Sequence, residues 1–216
     1  SDIGYKMSHL DIISKVCAAA PVIPILTIDR VEDARPLAQA LVTGGLPSLE
    51  ITLRTEAALD CIAAIADVDG ALVGAGTLLT ASQVQDAKAA GAVFGVSPGA
   101  TTSIINAAQK FDLPLLPGSA TATEAMRLLE YGFTYQKFFP AEAVGGAAAL
   151  GSLAGPLPQI IFCPTGGISP ENAKSYLALP NILCVGGSWI APKALISIGD
   201  WEQITQRARL AAALLQ

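Results

Sequence analysis

Short apolar runs alternate with alanine-rich stretches along almost the whole chain. The runs are rich in β-branched residues and have the lengths of buried strands, whereas the stretches between them carry apolar residues at helical spacing. Eight runs predict strands, over Val22–Ile28, Ser48–Arg54, Ala71–Thr77, Val93–Pro98, Pro114–Gly118, Tyr135–Pro140, Ile160–Thr165 and Ile182–Ser188. Such alternation indicates a parallel sheet that is covered by helices.

The predicted helices follow these strands, and one further helix precedes them. They lie near Met7–Ala19, Val31–Thr43, Glu56–Asp67, Ala81–Ala90, Ser103–Phe111, Thr123–Tyr131, Ala147–Ala154, Pro170–Ala178 and Asp200–Leu215. Eight strand–helix units favour a closed (β/α)8 TIM barrel over an open sheet. No linker-like segment divides the chain, so we expect residues 1–216 to form one α/β barrel domain, with residues 1–20 as an extra N-terminal helix and leader.

The composition is apolar and sparsely charged. Hydrophobic residues make up 52% of the chain and charged residues 14%, so we expect another copy of the chain to cover part of its surface. The net charge is −5 and no basic run is present, which argues against nucleic acid as a partner. Pro and Gly interrupt each apolar stretch before it reaches the ~20 residues of a membrane span.

Two further features predict a cytoplasmic protein. Residues Ser1–Lys6 lack the charged-then-apolar layout of a signal peptide. The four cysteines have no C-x-x-C spacing, so we interpret them as buried apolar residues of a reducing compartment.

The sequence offers no pattern for a metal or an organic cofactor, and we expect neither. The single histidine, His9, cannot form a multi-histidine metal site or a His-dependent triad within one chain, and we expect it at the surface of the first helix. The acidic residues show no obvious cluster for magnesium. Gly74-Ala75-Gly76 lacks the third glycine of a dinucleotide-binding fingerprint.

Lys137 is the most informative residue, because it lies within the aromatic strand Tyr135–Pro140. Burial of an ammonium group is costly, so a lysine in such a place tends to lose its proton and to become a nucleophilic amine. A neutral amine in an apolar pocket is what Schiff-base chemistry with a carbonyl substrate requires. The alternative is a lysine that extends from a strand end to water.

Glu50 is the acidic counterpart of Lys137. Side chains alternate along a strand, so Glu50, Thr52 and Arg54 share the face that we expect to point into the barrel. An interior carboxylate needs a partner, and it suits proton transfer. The alternative is a structural Glu50–Arg54 ion pair that only fills the barrel.

The ends of the last two predicted strands carry paired glycines. Exposed backbone amides at such turns can approach an anion closely, and barrels of this class often bind phosphate after strands seven and eight. The alternative is two tight turns that need glycine only for their backbone. The predicted phosphate-binding residues are Gly166, Gly167, Gly186, Gly187 and Ser188.

Thr77, at the end of the third predicted strand, can donate a hydrogen bond from its hydroxyl to a substrate carboxylate, or it can cap the next helix.

Six motifs stand in order along the chain and together closely resemble the bacterial 2-keto-3-deoxy-6-phosphogluconate (KDPG) aldolases, which also act as 4-hydroxy-2-oxoglutarate aldolases. The resemblance runs from about Pro21 to the carboxyl end. The motifs are Leu49-Glu50-Ile51-Thr52-Leu53-Arg54-Thr55, Val73-Gly74-Ala75-Gly76-Thr77, Val96-Ser97-Pro98-Gly99, Lys137-Phe138-Phe139-Pro140-Ala141-Glu142, Cys163-Pro164-Thr165-Gly166-Gly167-Ile168 and Gly186-Gly187-Ser188-Trp189.

The resemblance implies a metal-independent class I aldolase of the Entner–Doudoroff pathway, trimeric, which cleaves KDPG to pyruvate and glyceraldehyde 3-phosphate. Lys137 matches the Schiff-base lysine and Glu50 the proton shuttle. The other matching positions are Arg54 and Thr77 for the pyruvyl carboxylate, Pro98, Phe139 and Thr165 for the pocket, and Gly166, Gly167, Gly186, Gly187 and Ser188 for the phosphate end.

Other readings remain open at this point. Relatives that cleave the C4 epimer, the phosphogalactonate compound, have nearly the same site, although Thr165 resembles the gluconate type. A phosphosugar isomerase or epimerase would use Glu50 for proton transfer and would keep Lys137 as an electrostatic partner. A silent sugar-phosphate binding protein would need neither residue.

Overall fold

The structure is a computed structural model that describes residues 7–214. The strands are β1 (Val22–Leu26), β2 (Ser48–Thr52), β3 (Leu72–Gly76), β4 (Phe94–Val96), β5 (Leu115–Leu116), β6 (Gly118–Ser119), β7 (Tyr135–Phe138), β8 (Ile161–Pro164) and β9 (Val185–Gly187). The helices are α1 (Met7–Ala18), α2 (Val31–Thr43), α3 (Ala58–Ile65), α4 (Ala81–Ala90), α5 (Thr102–Lys110), α6 (Ala122–Glu130), α7 (Gly146–Ala154), α8 (Ala173–Leu177), α9 (Lys193–Ser197) and α10 (Trp201–Ala212), with a 3-10 turn at Glu142–Val144. Ser1–Lys6, interpreted above as unlike a signal peptide, and Leu215, the expected end of the last helix, lie outside the described residues.

Every strand pair is parallel, so the predicted α/β class is confirmed. A strand lies within each of the eight predicted segments, and the predicted bounds of α2 and α4 agree with the structure. The short helix α9 was not predicted. Apolar periodicity therefore located the elements, because each helix lays one face on the sheets.

The prediction of a closed eight-stranded barrel is wrong. The described strands form a six-stranded half-barrel, in the order β5-β4-β3-β2-β1-β9, and a separate three-stranded sheet, β6-β7-β8. One break is at Pro117, which lacks the N–H needed to continue a ladder, so β5 pairs with β4 whereas β6 pairs with β7. At the other boundary only isolated bridges occur, from Phe162 to Ile182 and from Thr165 to Gly186.

Helix α1 crosses the amino ends of strands from both sheets. The Ser48 hydroxyl at the start of β2 donates a hydrogen bond to the Val16 carbonyl at 2.8 Å. The Ser14 hydroxyl lies 3.0 Å from that of Tyr135, at the start of β7. Helix α1 therefore ties the half-barrel to the smaller sheet at the end opposite to the strands' carboxyl ends.

The cysteines are buried free thiols, in agreement with the sequence analysis. Cys17 of α1 belongs to the same apolar cluster as Cys163 of β8 and Cys184. A hydrogen bond with Cys163, another with Cys17 and burial raise the pKa of the Cys184 thiol. The thiol therefore stays neutral and packs as a small apolar group.

His9 is buried, and the expectation that it lies at the surface is wrong. Its side chain is 3% exposed, and Nε2 lies 2.9 Å from Oδ1 of Asp112. The carbonyl of Asp112 also accepts a hydrogen bond from Lys88. His9 thus anchors the start of α1 to the loop before β5, far along the chain from the predicted site residues.

Candidate active site

Lys137 is enclosed rather than extended to water. It is the third residue of β7, is 5% exposed, and its neighbours in register are Gly118 of β6 and Cys163 of β8. Its Nζ lies 4.9 Å from the centroid of the Phe139 ring. The next residue back, Gln136, points to the other face of β7, where its side chain bonds to backbone carbonyls and to the Ser119 hydroxyl. Alternation along a fixed strand therefore holds Lys137 inside.

Glu50 is the charged partner of Lys137. It is 4% exposed, stands in register with Ile25 of β1 and Gly74 of β3, and its Oε1 lies 3.7 Å from Nζ of Lys137. The contact crosses from the half-barrel to the three-stranded sheet. An amine and a carboxylate at this distance, both shielded from water, can exchange a proton between themselves or through a bound substrate.

The alternative Glu50–Arg54 ion pair does not form. Strand β2 ends at Thr52 rather than at Arg54, and Arg54 lies exposed in the turn that follows. The side chain of Thr52 is fully buried and donates a hydrogen bond to the Leu26 carbonyl. The strand alternation was thus predicted correctly near Glu50, but it ends before it reaches Arg54.

Gly76 provides the space for the Glu50 carboxylate. A Cβ atom built on Gly76 would lie 2.2 Å from Oε1 and 2.7 Å from Cγ of Glu50. Gly74, two residues earlier, faces the Phe94 ring in the same way, at 2.3 Å. The sequence analysis interpreted this G-x-G as an incomplete nucleotide motif and as part of a family motif, and it missed the packing role. The register carries the signal, because Gly74 stands opposite Glu50 on the neighbouring strand and Gly76 stands opposite Thr52, one strand position beyond on the same face.

Thr77, at the carboxyl end of β3, has a left-handed backbone with a φ of 59°. This conformation is unfavourable for a β-branched residue. Thr77 does not cap the next helix, because Thr80 does so through a capping box with Gln83. The strained, half-buried Thr77 is therefore available for another role at this end of the sheet.

The turn Gly166–Gly167 follows β8 and has φ values of +100° and +76°. Its carbonyl groups point away from the open end: those of Thr165 and Gly166 accept hydrogen bonds from the amides of Ala141 and Glu142, at 2.8 and 3.1 Å. Within residues 7–214, the amides of Gly167 and Ile168 donate to no acceptor. A turn with engaged carbonyls and free amides suits an anion.

Gly186 and Gly187 have a packing role that the sequence analysis did not predict. A Cβ on Gly186 would lie 2.4 Å from Oγ1 of Thr165, and one on Gly187 would lie 2.0 Å from the Trp189 ring. Thr165 is 6% exposed and Ser188 is exposed. These contacts place Thr165 beside β9, and Ser188 directly follows the carboxyl end of that strand.

Two remaining candidates are half-buried. Pro98 follows β4, and its carbonyl oxygen would lie 2.1 Å from a Cβ on Gly118 of β6. Phe139 directly follows β7 and contacts Lys137 through its ring. Direct contacts thus join Lys137 to Glu50 and Phe139, and Thr165 to Gly186, whereas Arg54, Thr77 and Pro98 are placed by the strand ends that they follow.

Across residues 7–214, no three His, Cys, Asp or Glu side chains form a group that could hold a metal ion. No helix in that range combines the length and apolar character of a membrane span.

Comparison with known proteins gives consistent matches over nearly the whole chain. The family model for KDPG and KHG aldolase matches residues 13–207. A 2-dehydro-3-deoxy-phosphogluconate aldolase of Pseudoalteromonas atlantica is 50% identical over 211 residues, which cover 97% of this chain and 96% of that protein. The KHG/KDPG aldolase of Escherichia coli is 49% identical over 90% of this chain and 92% of its own length.

A solved structure matches equally well. It is the KDPG aldolase of Legionella pneumophila with pyruvate captured as a covalent carbinolamine intermediate. It has a TM-score of 0.89 and 46% identity, and the match covers 92% of this chain and 97% of that one. On the family match and these identities, the chain belongs to the KDPG and KHG aldolase family.

Proposed function

We propose that the protein is a class I aldolase that cleaves KDPG to pyruvate and glyceraldehyde 3-phosphate. The observation that carries this proposal is the enclosed Lys137–Glu50 pair, with 3.7 Å between Nζ and Oε1. A shielded amine beside a shielded carboxylate supplies the nucleophile and the proton carrier that a Schiff-base lyase needs. The relatives' names point to the same reaction.

The cleavage follows from these two groups. The neutral amine of Lys137 attacks the C2 ketone to give a carbinolamine, and Glu50 supplies the proton with which water leaves. The resulting iminium withdraws electrons from C3. Glu50 accepts the C4 hydroxyl proton as the C3–C4 bond breaks, and glyceraldehyde 3-phosphate departs from an enamine on Lys137. Protonation at C3 and hydrolysis of the iminium then release pyruvate.

The other candidate residues hold the two charged ends of the substrate. We assign the pyruvyl carboxylate to Arg54 and Thr77, and the walls of the pocket to Pro98, Phe139 and Thr165. The phosphate end is assigned to Gly166, Gly167, Gly186, Gly187 and Ser188. Among these, the Gly166–Gly167 turn has the strongest structural support, because its carbonyls accept hydrogen bonds and the Gly167 amide has no acceptor among residues 7–214.

Trapping with pyruvate tests this function. The protein is incubated with pyruvate and borohydride, and the reduced adduct is mapped by peptide mass spectrometry. An adduct on Lys137 is expected. A protein that folds but yields no adduct would favour the isomerase or epimerase, which uses Glu50 without covalent chemistry. The silent binding protein is less favoured, because it would need neither Lys137 nor Glu50.

A second activity, the cleavage of 4-hydroxy-2-oxoglutarate to pyruvate and glyoxylate, is favoured by the E. coli relative's name. It needs Lys137 and Glu50 but no phosphate-binding turn. Assays with KDPG and with its C4 epimer, the phosphogalactonate compound, then show which configuration at C4 is accepted. We expect the KDPG configuration, because Thr165 resembles the gluconate-type pattern.

Replacing Thr77 with glycine should separate stability from activity. Glycine relieves the left-handed strain, so we expect the free energy of unfolding to rise by up to ~1 kcal/mol after the entropic cost of glycine. We expect kcat/KM for KDPG to fall at least ~10-fold, because a hydroxyl donor to the substrate is lost. Thr77→Ser keeps the hydroxyl and should keep most of the activity. Thermal melts and steady-state kinetics on both variants decide the matter.

We also propose a cytoplasmic homotrimer. The chain is sparsely charged, and large apolar side chains are exposed, among them Leu79 at 58%, Ile198 at 73% and Leu210 at 74%. The free thiols suit a reducing compartment. Sedimentation equilibrium should give three times the chain mass of 22.1 kDa, and a single chain mass at micromolar concentration would refute the trimer.

A further inference from the structure

Glu142 and Tyr176 form a contact that the cleavage mechanism does not use. Tyr176 lies on α8, is fully buried, and donates a hydrogen bond from its hydroxyl to Oε1 of Glu142. Glu142 lies in the turn after β7, five residues beyond Lys137, and is otherwise exposed. The contact therefore joins the loop that follows β7 to the helix that follows β8.

The Glu142 side chain packs directly on the Gly166–Gly167 turn. A Cβ on Gly167 would lie 2.7 Å from both Cβ and Cγ of Glu142, so only glycine fits there. The Glu142 amide donates to the Gly166 carbonyl at 3.1 Å, and Asn172 Nδ2 donates to the Gly167 carbonyl at 2.9 Å. The turn is thus fixed on its carbonyl side by groups from both loops.

The position of the carboxylate creates an electrostatic conflict. The Gly167 and Ile168 amides have no acceptor within residues 7–214, and they suit an anion. The Glu142 side chain touches this turn, and its carboxylate is the negative charge close to these amides. If it rotated toward the free amides, it would occupy them and repel a substrate phosphate.

The Tyr176 hydroxyl is suited to prevent this rotation. Burial first, and then the hydrogen bond with Glu142, raise the pKa of Tyr176, so the hydroxyl remains a donor at any pH at which the enzyme would work. A hydrogen bond to a charged acceptor is stronger than one between neutral groups. Tyr176 therefore has both the position and the protonation state to hold the carboxylate.

We propose that Tyr176 and Glu142 are positioning residues for the phosphate end of the site: Tyr176 holds the Glu142 carboxylate away from the Gly167 amide, so that the turn stays open to the substrate phosphate. This inference rests on the proposed aldolase function. It concerns only the phosphorylated substrate, because 4-hydroxy-2-oxoglutarate carries no phosphate. Neither residue is assigned contact with the reacting atoms.

Tyr176→Phe is the test, with Tyr135→Phe as the matched control that also removes one tyrosine hydroxyl and its hydrogen bond, at the far end of β7. We expect Tyr176→Phe to raise the KM for KDPG about tenfold, as the loss of a hydrogen bond to a charged group predicts. We expect kcat/KM for 4-hydroxy-2-oxoglutarate, and pyruvate trapping on Lys137, to stay unchanged. Tyr135→Phe should change neither substrate's KM.

The double variant Tyr176→Phe/Glu142→Gln identifies the cause. Removing the charge should return the KM for KDPG toward the wild-type value, since an amide repels phosphate far less than a carboxylate does. An equal rise in KM for both substrates, or no rescue by the double variant, would overturn the inference. If Tyr176→Phe does not fold, Glu142→Gln alone decides: it should lower the KM for KDPG, and an increase would contradict the proposal.

Failure of the inference and failure of the proposed function give different results. A wild-type protein that is not trapped by pyruvate contradicts the aldolase itself. A wild-type protein that is trapped and cleaves both substrates, but whose Tyr176→Phe variant discriminates between them no differently, contradicts only the positioning role.

Discussion

Lys137→Met is expected to abolish both KDPG cleavage and pyruvate trapping, with a fall in kcat of at least about 10⁴-fold. Methionine has a similar length and is flexible, so it fills the volume between β2 and β7 without the nucleophilic nitrogen. The loss should be this large because covalent attachment of the substrate precedes every later step. Steady-state cleavage assays and borohydride trapping on the purified variant measure it.

Two controls accompany this variant. Lys88→Met removes an exposed lysine on α4, near the amino ends of the strands, and should retain activity. Lys137→Met leaves the Glu50 carboxylate buried without its partner, so the thermal melt should shift downward while the fold persists. Normal cleavage by Lys137→Met would end the Schiff-base mechanism, whatever the trapping experiment gave.

Gly76→Ala should lower kcat/KM for both substrates by about 10²–10³-fold. The added methyl group would meet Oε1 and Cγ of Glu50, at 2.2 and 2.7 Å before any adjustment. The Glu50 side chain must then rotate away from Lys137, and general acid–base catalysis is worth roughly this factor. Overpacking should also cost ~1–3 kcal/mol of stability. Kinetics with KDPG and with 4-hydroxy-2-oxoglutarate measure the effect.

Gly99→Ala is the matched glycine control, because a Cβ on Gly99 meets nothing within 4 Å. It lies just beyond β4, at the same end of the sheet as Gly76, and should remain active. Glu50→Gln keeps the shape of Glu50 but not its proton transfer, and it should be about as impaired as Gly76→Ala. A Gly76→Ala variant with full activity would show that the position of Glu50 is not critical.

The sequence predicted the elements and the two central charged residues because both depend on local pattern. Strand alternation placed Glu50 on the inward face, the aromatic run Tyr135–Pro140 indicated that Lys137 is buried, and the structure brings the two side chains to 3.7 Å. The same alternation, extended too far, put Arg54 on β2, although the strand ends at Thr52. Periodicity continues past the point at which backbone hydrogen bonds stop.

The remaining differences depend on contacts between distant segments. The prediction of a closed barrel was wrong because Pro117 ends one ladder and only two isolated bridges form at the other boundary, and neither feature alters the apolar pattern. His9 was placed at the surface because its partner, Asp112, is 103 residues away. The packing of Gly186 against Thr165 likewise appears only when two strand ends meet.

The proposed catalytic pair spans the division between the two sheets. Glu50 stands on the half-barrel and Lys137 on the three-stranded sheet, so the distance between their side chains changes with the gap between the two sheets. Circular dichroism reports the content of helix and strand, so it does not detect a small widening of that gap. Turnover should be sensitive to it, since in the proposed mechanism Glu50 gives one proton to the substrate on Lys137 and accepts another in each cycle. A variant that loosens the contact between the two sheets should therefore lose activity before it loses secondary structure.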